Sequence, residues 1–399
     1  MKAAYILATF PSRTETFALR EMQAMTRMGC EITVLAARGD GSPANAPNPI
    51  RVRYRPSAWS WESLASLAHV LLHYPLSPAR LAALAAEVLL ESPRECLLLL
   101  ANIHTVCCFV RCLDRQRIGH IHAYFLSWPA CIGLAVARVS RRSWSISAHA
   151  RDIFVEGGAL RTKARWASFV AVCTLQGLTR LREWLPAWEH DKLRLIRHGI
   201  DSSLWSQPFP DASVGRILFV GRLTPKKGAK HLIRAFAMVH SARPESVLAI
   251  IGDGPERPDL EGLVRSLHLG DCVEMPGWRD SAAVAESMRR SCLLVVPSVI
   301  DADGDRDGVP NVILEAFALG TVVVASRLEG IAEAVRDGQT GVLVAPGDPE
   351  ELASAILRLL ENGDDRSRLR EQARAFVERH YDLEKNVTAL SELMGQLAG

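Results

Sequence analysis

Paired metal-ligand cysteines, a long apolar run and a strong net charge are all missing from this chain of 399 residues. Its nine cysteines are an odd number and no two show CxxC spacing, so neither a disulfide framework nor a thiolate metal site is indicated. Cys107, Cys108 and Cys112 fall together in an apolar helical stretch with no matching histidine pair, and read as small core residues. A reducing cytoplasm fits that usage. The run Cys96-Leu-Leu-Leu-Leu-Ala101 falls far short of the ~20 residues a membrane-crossing helix requires. Ala3 to Phe10, after Lys2, imitates a signal peptide only faintly: it is short and stops at Pro11-Ser-Arg without a small-residue cleavage site, so it reads as a first strand.

The net charge is +3, from 47 basic and 44 acidic residues scattered among one another, which argues against a nucleic-acid partner. Arg51-Val-Arg-Tyr-Arg55, Arg138-Val-Ser-Arg-Arg142 and Arg161-Thr-Lys-Ala-Arg165 enrich the first half in positive charge. They read first as solvated surface and second as a patch able to meet anionic lipid or a phosphorylated ligand. What is present is a globular composition, 48% hydrophobic and 23% charged, at a length that suggests two domains.

Apolar strand candidates alternate with helical stretches: Ala3 to Ala8, Glu31 to Ala36, His120 to Tyr124, Trp144 to Ala148, Phe169 to Cys173 and Leu193 to Arg197. A second series runs through Arg216 to Val220, Val247 to Ile251, Cys272 to Met275, Cys292 to Val296, Thr321 to Ala325 and Val342 to Val344. Such alternation predicts two parallel sheets covered by helices, an α/β fold. The turn-rich stretch 201–213 suits a linker, which sets domains at 1–206 and 207–375, with a helix over 376–399 crossing back to the first. Open parallel sheets bind ligands beyond the carboxyl ends of their strands, so the loops after strands are where function is sought. The stretch from Pro56 to Leu100 is less regular, with Trp59, Trp61 and many Leu and Ala; it reads as core helices, or as a face for a membrane or lipid acceptor.

Three of those loops carry chemistry. After Arg216 to Val220 comes Gly221-Arg-Leu-Thr-Pro-Lys-Lys-Gly228, in which Arg222 offers a planar fork and Lys227 a point charge, a pairing suited to a diphosphate. Gly252-Asp-Gly-Pro-Glu-Arg257 follows another strand, and Gly254 permits close approach of a ligand or a tight turn. Asp307-Gly-Val-Pro-Asn-Val-Ile-Leu-Glu315 joins a strand to a helix whose free N-H groups and dipole favour an anion, with two carboxylates able to address different hydroxyls. Asp301, Asp303 and Asp305 satisfy an acidic pattern used for divalent ions, but beside Gly304 they read as a solvated turn.

In this order, and with Glu329-Gly-Ile-Ala-Glu and Gly341-Val-Leu-Val-Ala-Pro-Gly-Asp-Pro349 behind them, the motifs resemble the retaining GT-B glycosyltransferases of family 4, in their bacterial exopolysaccharide and colanic-acid branch. The resemblance covers residues 216–360 and implies two Rossmann-like doubly wound domains facing an interdomain cleft. By position it implies that Arg222 and Lys227 hold a diphosphate, Glu315 the ribose, and Asp307 the donor sugar. Gly254 and the backbone of Gly308, Val309, Pro310 and Asn311 would complete the donor site. The family usually has glutamate at the position of Asp307.

Thr9-Phe-Pro-Ser-Arg-Thr-Glu-Thr-Phe17 resembles the amino-terminal signature of polysaccharide-building members, which places Glu15 on the acceptor side. Ser12 and Glu15 also have capping-box spacing. His120-Ile-His-Ala-Tyr-Phe125 and Ser147-Ala-His-Ala-Arg-Asp-Ile-Phe154 end strands; His149 is the candidate for a catalytic role, donating to a sugar hydroxyl, with His122, Arg151 and Asp152 on the acceptor side. The resemblance implies a cytoplasmic, membrane-peripheral, metal-independent enzyme without a cofactor. It would move a sugar from a nucleoside-diphosphate sugar to a saccharide or lipid-linked saccharide. No first-half carboxylate is clearly placed as a nucleophile, which favours front-face transfer. Because fold alone does not set function, a nucleotide-sugar epimerase, a phosphorylase and a non-catalytic partner subunit are the alternatives.

Overall fold

Runs of Val, Ile, Leu and Ala too uniformly apolar for a one-sided sheet form strands buried on both faces, which is what a parallel sheet covered by helices requires. The computed structural model describes residues 1–12, 15–39, 50–204 and 213–397. Contacts divide the chain into two units, Met1–His198 with Glu384–Gly399, and Gly199–Leu383.

In the first unit β1 (Lys2–Thr9), β2 (Glu31–Arg38), β3 (Arg51–Tyr54), β4 (His120–Tyr124), β5 (Ser143–Ala148), β6 (Val170–Val172) and β7 (Leu193–Leu195) form one sheet in the order 3-2-1-4-5-6-7. Every neighbouring pair is parallel. In the second unit β8 (Ser213–Val220), β9 (Val247–Ile251), β10 (Val273–Gly277), β11 (Ser291–Val296), β12 (Val322–Ser326) and β13 (Val342–Val344) take the order 10-9-8-11-12-13, again all parallel. Both orders reverse direction once, between β1 and β4 and between β8 and β11, as Rossmann-like sheets do. The α/β expectation of two doubly wound domains holds.

Strand β3 is the one addition to the strands expected from sequence. Its alternating Arg-Val-Arg-Tyr reads as solvated surface, and the structure uses it as a four-residue edge strand whose arginines are exposed, which blunts the sheet edge. The division expected at 206/207 falls among residues 205–212, outside the described residues. The carboxyl-terminal return lies at Leu383/Glu384, because Val377 and Tyr381, within the stretch expected to cross back, are buried in the core of the second unit. The helix Leu383–Gly395 then buries Val387, Leu390 and Met394 as part of the first unit. Among the described residues no single helix is long and apolar enough to cross a membrane. Cys107 and Cys108 are buried, as core residues should be, and Cys112 is half-buried.

Candidate active site

The carboxyl ends of β8, β9 and β11 bring three loops together at the switch point of the second sheet. Two of these loops lock through main-chain bonds: Leu223 N-H donates to the Asp253 carbonyl at 2.9 Å and Glu256 N-H to the Leu223 carbonyl at 3.1 Å. Val299 N-H donates to the Lys226 carbonyl at 2.8 Å, tying the loop after β11 to the same turn. Glycine is required where these backbones touch. A Cβ on Gly254 would stand 2.4 Å from the Leu223 carbonyl oxygen, and Gly254 has φ +159°. The close approach expected at Gly254 is thus of one loop to another.

Within this frame Asp307 is buried and meets Lys227 Nζ at 2.7 Å and the Ser298 hydroxyl, which donates at 2.6 Å, both at Oδ2. Lys226 Nζ lies 3.0 Å from Asp305 Oδ1 and 3.6 Å from Asp307 Oδ1. Burial alone would push the Asp307 carboxyl up; Lys227, Lys226 and the Ser298 hydroxyl outweigh it and hold the group below the usual carboxylate range. Asp307 is therefore an anion fixed between two ammonium groups. Lys226 and Ser298 were not singled out from sequence, and Asp305 was read only as part of a solvated turn; the signals were adjacency to Lys227 and a Ser two residues beyond the end of β11 at Val296.

Arg222 is exposed in the same loop. The helix Asn311–Leu319 starts at Pro310 and ends against Gly320 in a left-handed conformation, φ +79°; Gly308, Val309, Pro310, Asn311 and Glu315 are all half-buried along its entry. The turn at Asp301 to Asp305 is closed by its own bonds, Asp305 N-H to Asp303 Oδ1 at 2.9 Å and Asp301 N-H to the Asp305 carbonyl at 2.9 Å. Asp303 is solvated as expected, whereas Asp305 turns inward to Lys226.

In the first unit the strand ends of β4 and β5 and the helix Thr16–Arg27 gather rings around His149. His198 stacks on it nearly parallel, centroids 5.1 Å apart at 7°, and Phe125, Tyr124 and Phe17 lie at 4.6, 5.1 and 5.4 Å. His149 also begins the helix Ala150–Phe154, its N-H donating to Asp152 Oδ2 at 3.1 Å. Asp152, which sequence placed on the acceptor side, is buried in that cap. Arg151 is exposed and reaches Glu156 Oε1 at 2.7 Å. His122, also expected on the acceptor side, is fully buried, with Nδ1 at 2.8 Å from the Ser145 hydroxyl and Nε2 at 2.8 Å from that of Ser147, so both ring nitrogens are engaged within the first unit. Burial pushes its pKa well down and keeps the ring neutral.

Glu15 occupies the cap position of the helix Thr16–Arg27 without a side-chain capping bond, so the Ser12 capping box does not form. Burial, and then the Asp152 carboxylate, push the Glu15 carboxyl up to about 7, against a bond from Ser12. Glu15 is thus a partly protonated group near neutral pH. His149, Cys173 and His198 place ligand atoms within 4.8 Å of one another, the one set among the described residues with that geometry. Imidazole and thiolate suit a soft transition ion, not the hard cations that accompany diphosphates.

Residues 209–376 match the family model described as glycosyl transferases group 1, a span that contains Lys227, Asp307 and Glu315. The colanic acid biosynthesis glycosyltransferase WcaL of Escherichia coli, a putative assignment in its name, is 27% identical over 100% of both chains. The amylovoran biosynthesis glycosyltransferase AmsK of Erwinia amylovora is 30% identical over 53% of this chain, which spans about half, 54%, of that relative's length. Among solved structures, HepE of Anabaena in complex with UDP superposes with a TM-score of 0.72 at 19% identity over 100% of both chains. Sucrose-phosphate synthase of Thermosynechococcus elongatus does so with a TM-score of 0.73 at 21% identity, over 100% of this chain and 99% of that one.

Proposed function

We propose, on the premise that the chain belongs to the group 1 glycosyl transferases, that it moves a sugar from a nucleoside-diphosphate sugar to a saccharide borne on a lipid carrier, in the assembly of a cell-surface polysaccharide. The observation behind this reading is the Lys226, Lys227, Asp305 and Asp307 cluster at the switch point of the second sheet, inside the family-matched span. An incoming diphosphate competes with Asp307 for Lys227, and Arg222 adds a second cation. Charge that grows on the leaving diphosphate is then met by groups already in place. Asp307, fixed as an anion, accepts hydroxyls of the donor sugar, and Glu315 accepts those of the ribose. HepE has been crystallised with UDP and with UDP-glucose, which makes uridine the first base to test.

His149 and Glu15 serve the acceptor in this reading. A carboxyl poised near 7 can take the proton of an acceptor hydroxyl as the new bond forms. Departure and attack on one face of the sugar retain its configuration, and cations of the protein replace a metal ion in stabilising the leaving group.

The test is a screen of UDP-, GDP-, ADP- and dTDP-sugars by direct binding, followed by transfer to a lipid-linked saccharide with product configuration read by NMR. One donor binds, the product retains the donor's anomeric configuration, and chelator leaves the rate unchanged. Lys227→Ala lowers kcat/KM by about 100-fold, roughly 2.7 kcal/mol of transition-state stabilisation. Failure of every nucleotide sugar to bind overturns the reading. A sugar isomerised without an acceptor identifies an epimerase instead.

A further inference from the structure

Three helices of the first unit bury one apolar face in its core and leave further leucines outside. Trp61–His73 buries Ser63, Ser66 and Val70 while Trp61, Leu64, Leu67 and Leu71 stand exposed, and at about 100° per residue those four share a ~120° arc. Pro93–Ala101 buries Glu95, which meets Lys163 Nζ at 3.1 Å, and leaves Leu97 and Leu100 outside. Ser77–Glu91 exposes Leu89 and Leu90, the latter at 89%. Between the helices runs a groove of about 330 Å³ lined by Leu67, Leu71, Leu81, Leu99, Leu100 and Ile103. A contiguous apolar surface of this kind marks an interaction site.

Charge identifies the partner. The stretch 61–101 holds four carboxylates, and each is engaged by protein: Glu62 by Arg53, Glu87 by Trp166 Nε1 at 2.8 Å, Glu91 by Thr162 N-H at 2.8 Å, and Glu95 by Lys163. Beside the groove lies a pocket of about 530 Å³ lined by Arg80, Arg138, Arg141 and Arg142 with Leu76 and Trp166, and no acidic residue lines it. Its guanidinium groups are held in place. Arg80 donates to the Val139 carbonyl at 3.1 Å, Arg138 stacks 3.6 Å over the Trp166 ring, and Arg142 reaches Asp114 Oδ1 at 2.7 Å; Arg141 is exposed. Pocket and groove meet at one helix start, where Leu76 and Arg80 line the first and Ser77, Pro78 and Leu81 the second.

An apolar face alone would suit a second protein. Arg142 is engaged by Asp114, and the other three arginines, Arg80, Arg138 and Arg141, in a lining that holds no carboxylate, select a phosphate. We infer that this face docks on an anionic phospholipid membrane, with a lipid phosphate in the arginine pocket and acyl chain along the groove. The docking complements a lipid-linked acceptor, but it stands or falls apart from sugar transfer, because vesicle binding is measured without donor or acceptor.

The test is co-flotation of the full chain with vesicles of phosphatidylcholine alone and of phosphatidylcholine mixed with phosphatidylglycerol. The mixed vesicles bind at least about ten-fold more tightly, and the advantage shrinks at high salt. Arg138→Glu with Arg141→Glu, and separately Leu71→Ser with Leu100→Ser, each weaken binding about ten-fold while keeping the wild-type melting temperature. No flotation, or equal flotation with neutral vesicles, overturns the inference. So does a dimer seen by light scattering that the leucine pair dissolves without altering flotation, which would make the face an interface between copies. If inorganic phosphate raises the melting temperature through Arg138 and Arg141 and no vesicle floats, the pocket serves a soluble phosphate and the membrane is excluded.

Discussion

Two buried carboxylates illustrate how opposite fates follow from neighbours. Asp307 sits between two lysines and is held ionised. Glu21 receives only neutral donors, the hydroxyls of Tyr5 at 3.1 Å and Tyr124 at 3.2 Å, and burial pushes it up to about 7 despite them. The sequence shows Asp307 because its motif is contiguous, but nothing marks Glu21, whose partners lie 16 and 103 residues away. A raised carboxyl destabilises the fold when ionised. Below about 4.5 the group is protonated folded and unfolded, and no penalty exists. Between about 4.5 and 7 the unfolded chain ionises first and stability falls as pH rises, reaching a plateau loss on the order of 3 kcal/mol. Glu21→Gln removes that loss, so its melting temperature relative to wild type should climb from pH 4.5 to 7 and then level off. A difference that stays flat across that range would show that Glu21 does not titrate there.

At the scale of elements, the expected strands appear because fully buried parallel strands leave an unbroken apolar signature. Edge strand β3 escapes it, since three of its four residues are exposed. Loop contacts were less legible: glycine advertises freedom of φ, and only packing tells whether a ligand or another backbone uses it. Gly228 and Gly338 separate the two cases, with φ of +66° and +69°. A Cβ on Gly228 would stand 1.9 Å from the Pro297 carbonyl oxygen, whereas one on Gly338 meets nothing within 4 Å. Both alanine variants carry the left-handed cost of about 1 kcal/mol. Gly228→Ala should lose at least ~2 kcal/mol more in denaturant unfolding of the second unit. Equal losses would mean that the loops move apart readily.

For the whole molecule, the chain leaves the first unit after His198 and re-enters it at Glu384, and the two crossings run side by side: Ile200 N-H donates to the Tyr381 carbonyl at 2.8 Å and Leu383 N-H to the Ile200 carbonyl at 3.1 Å. The returning segment is part of the first unit's fold, with Val387, Leu390 and Met394 buried and the Ser143 hydroxyl donating to the Leu397 carbonyl at 2.9 Å. Deleting 384–399 therefore removes three buried apolar side chains, exposes the surface they cover, and should cost the first unit about 5 kcal/mol. Hydrogen exchange would quicken in β2 and β5 and stay unchanged in β9 and β12; uniform quickening would contradict the assignment of the segment to one unit. The sequence by itself determined the two parallel sheets and the loops that carry glycine, lysine and acid, because strand burial and glycine-lysine-acid motifs are local patterns. Only the tertiary structure decided which charges face which. It turned Asp152 and His122 inward, set Lys226 and Ser298 on Asp307, and left leucines outside over buried serines, since pairing and burial depend on neighbours that are distant along the chain.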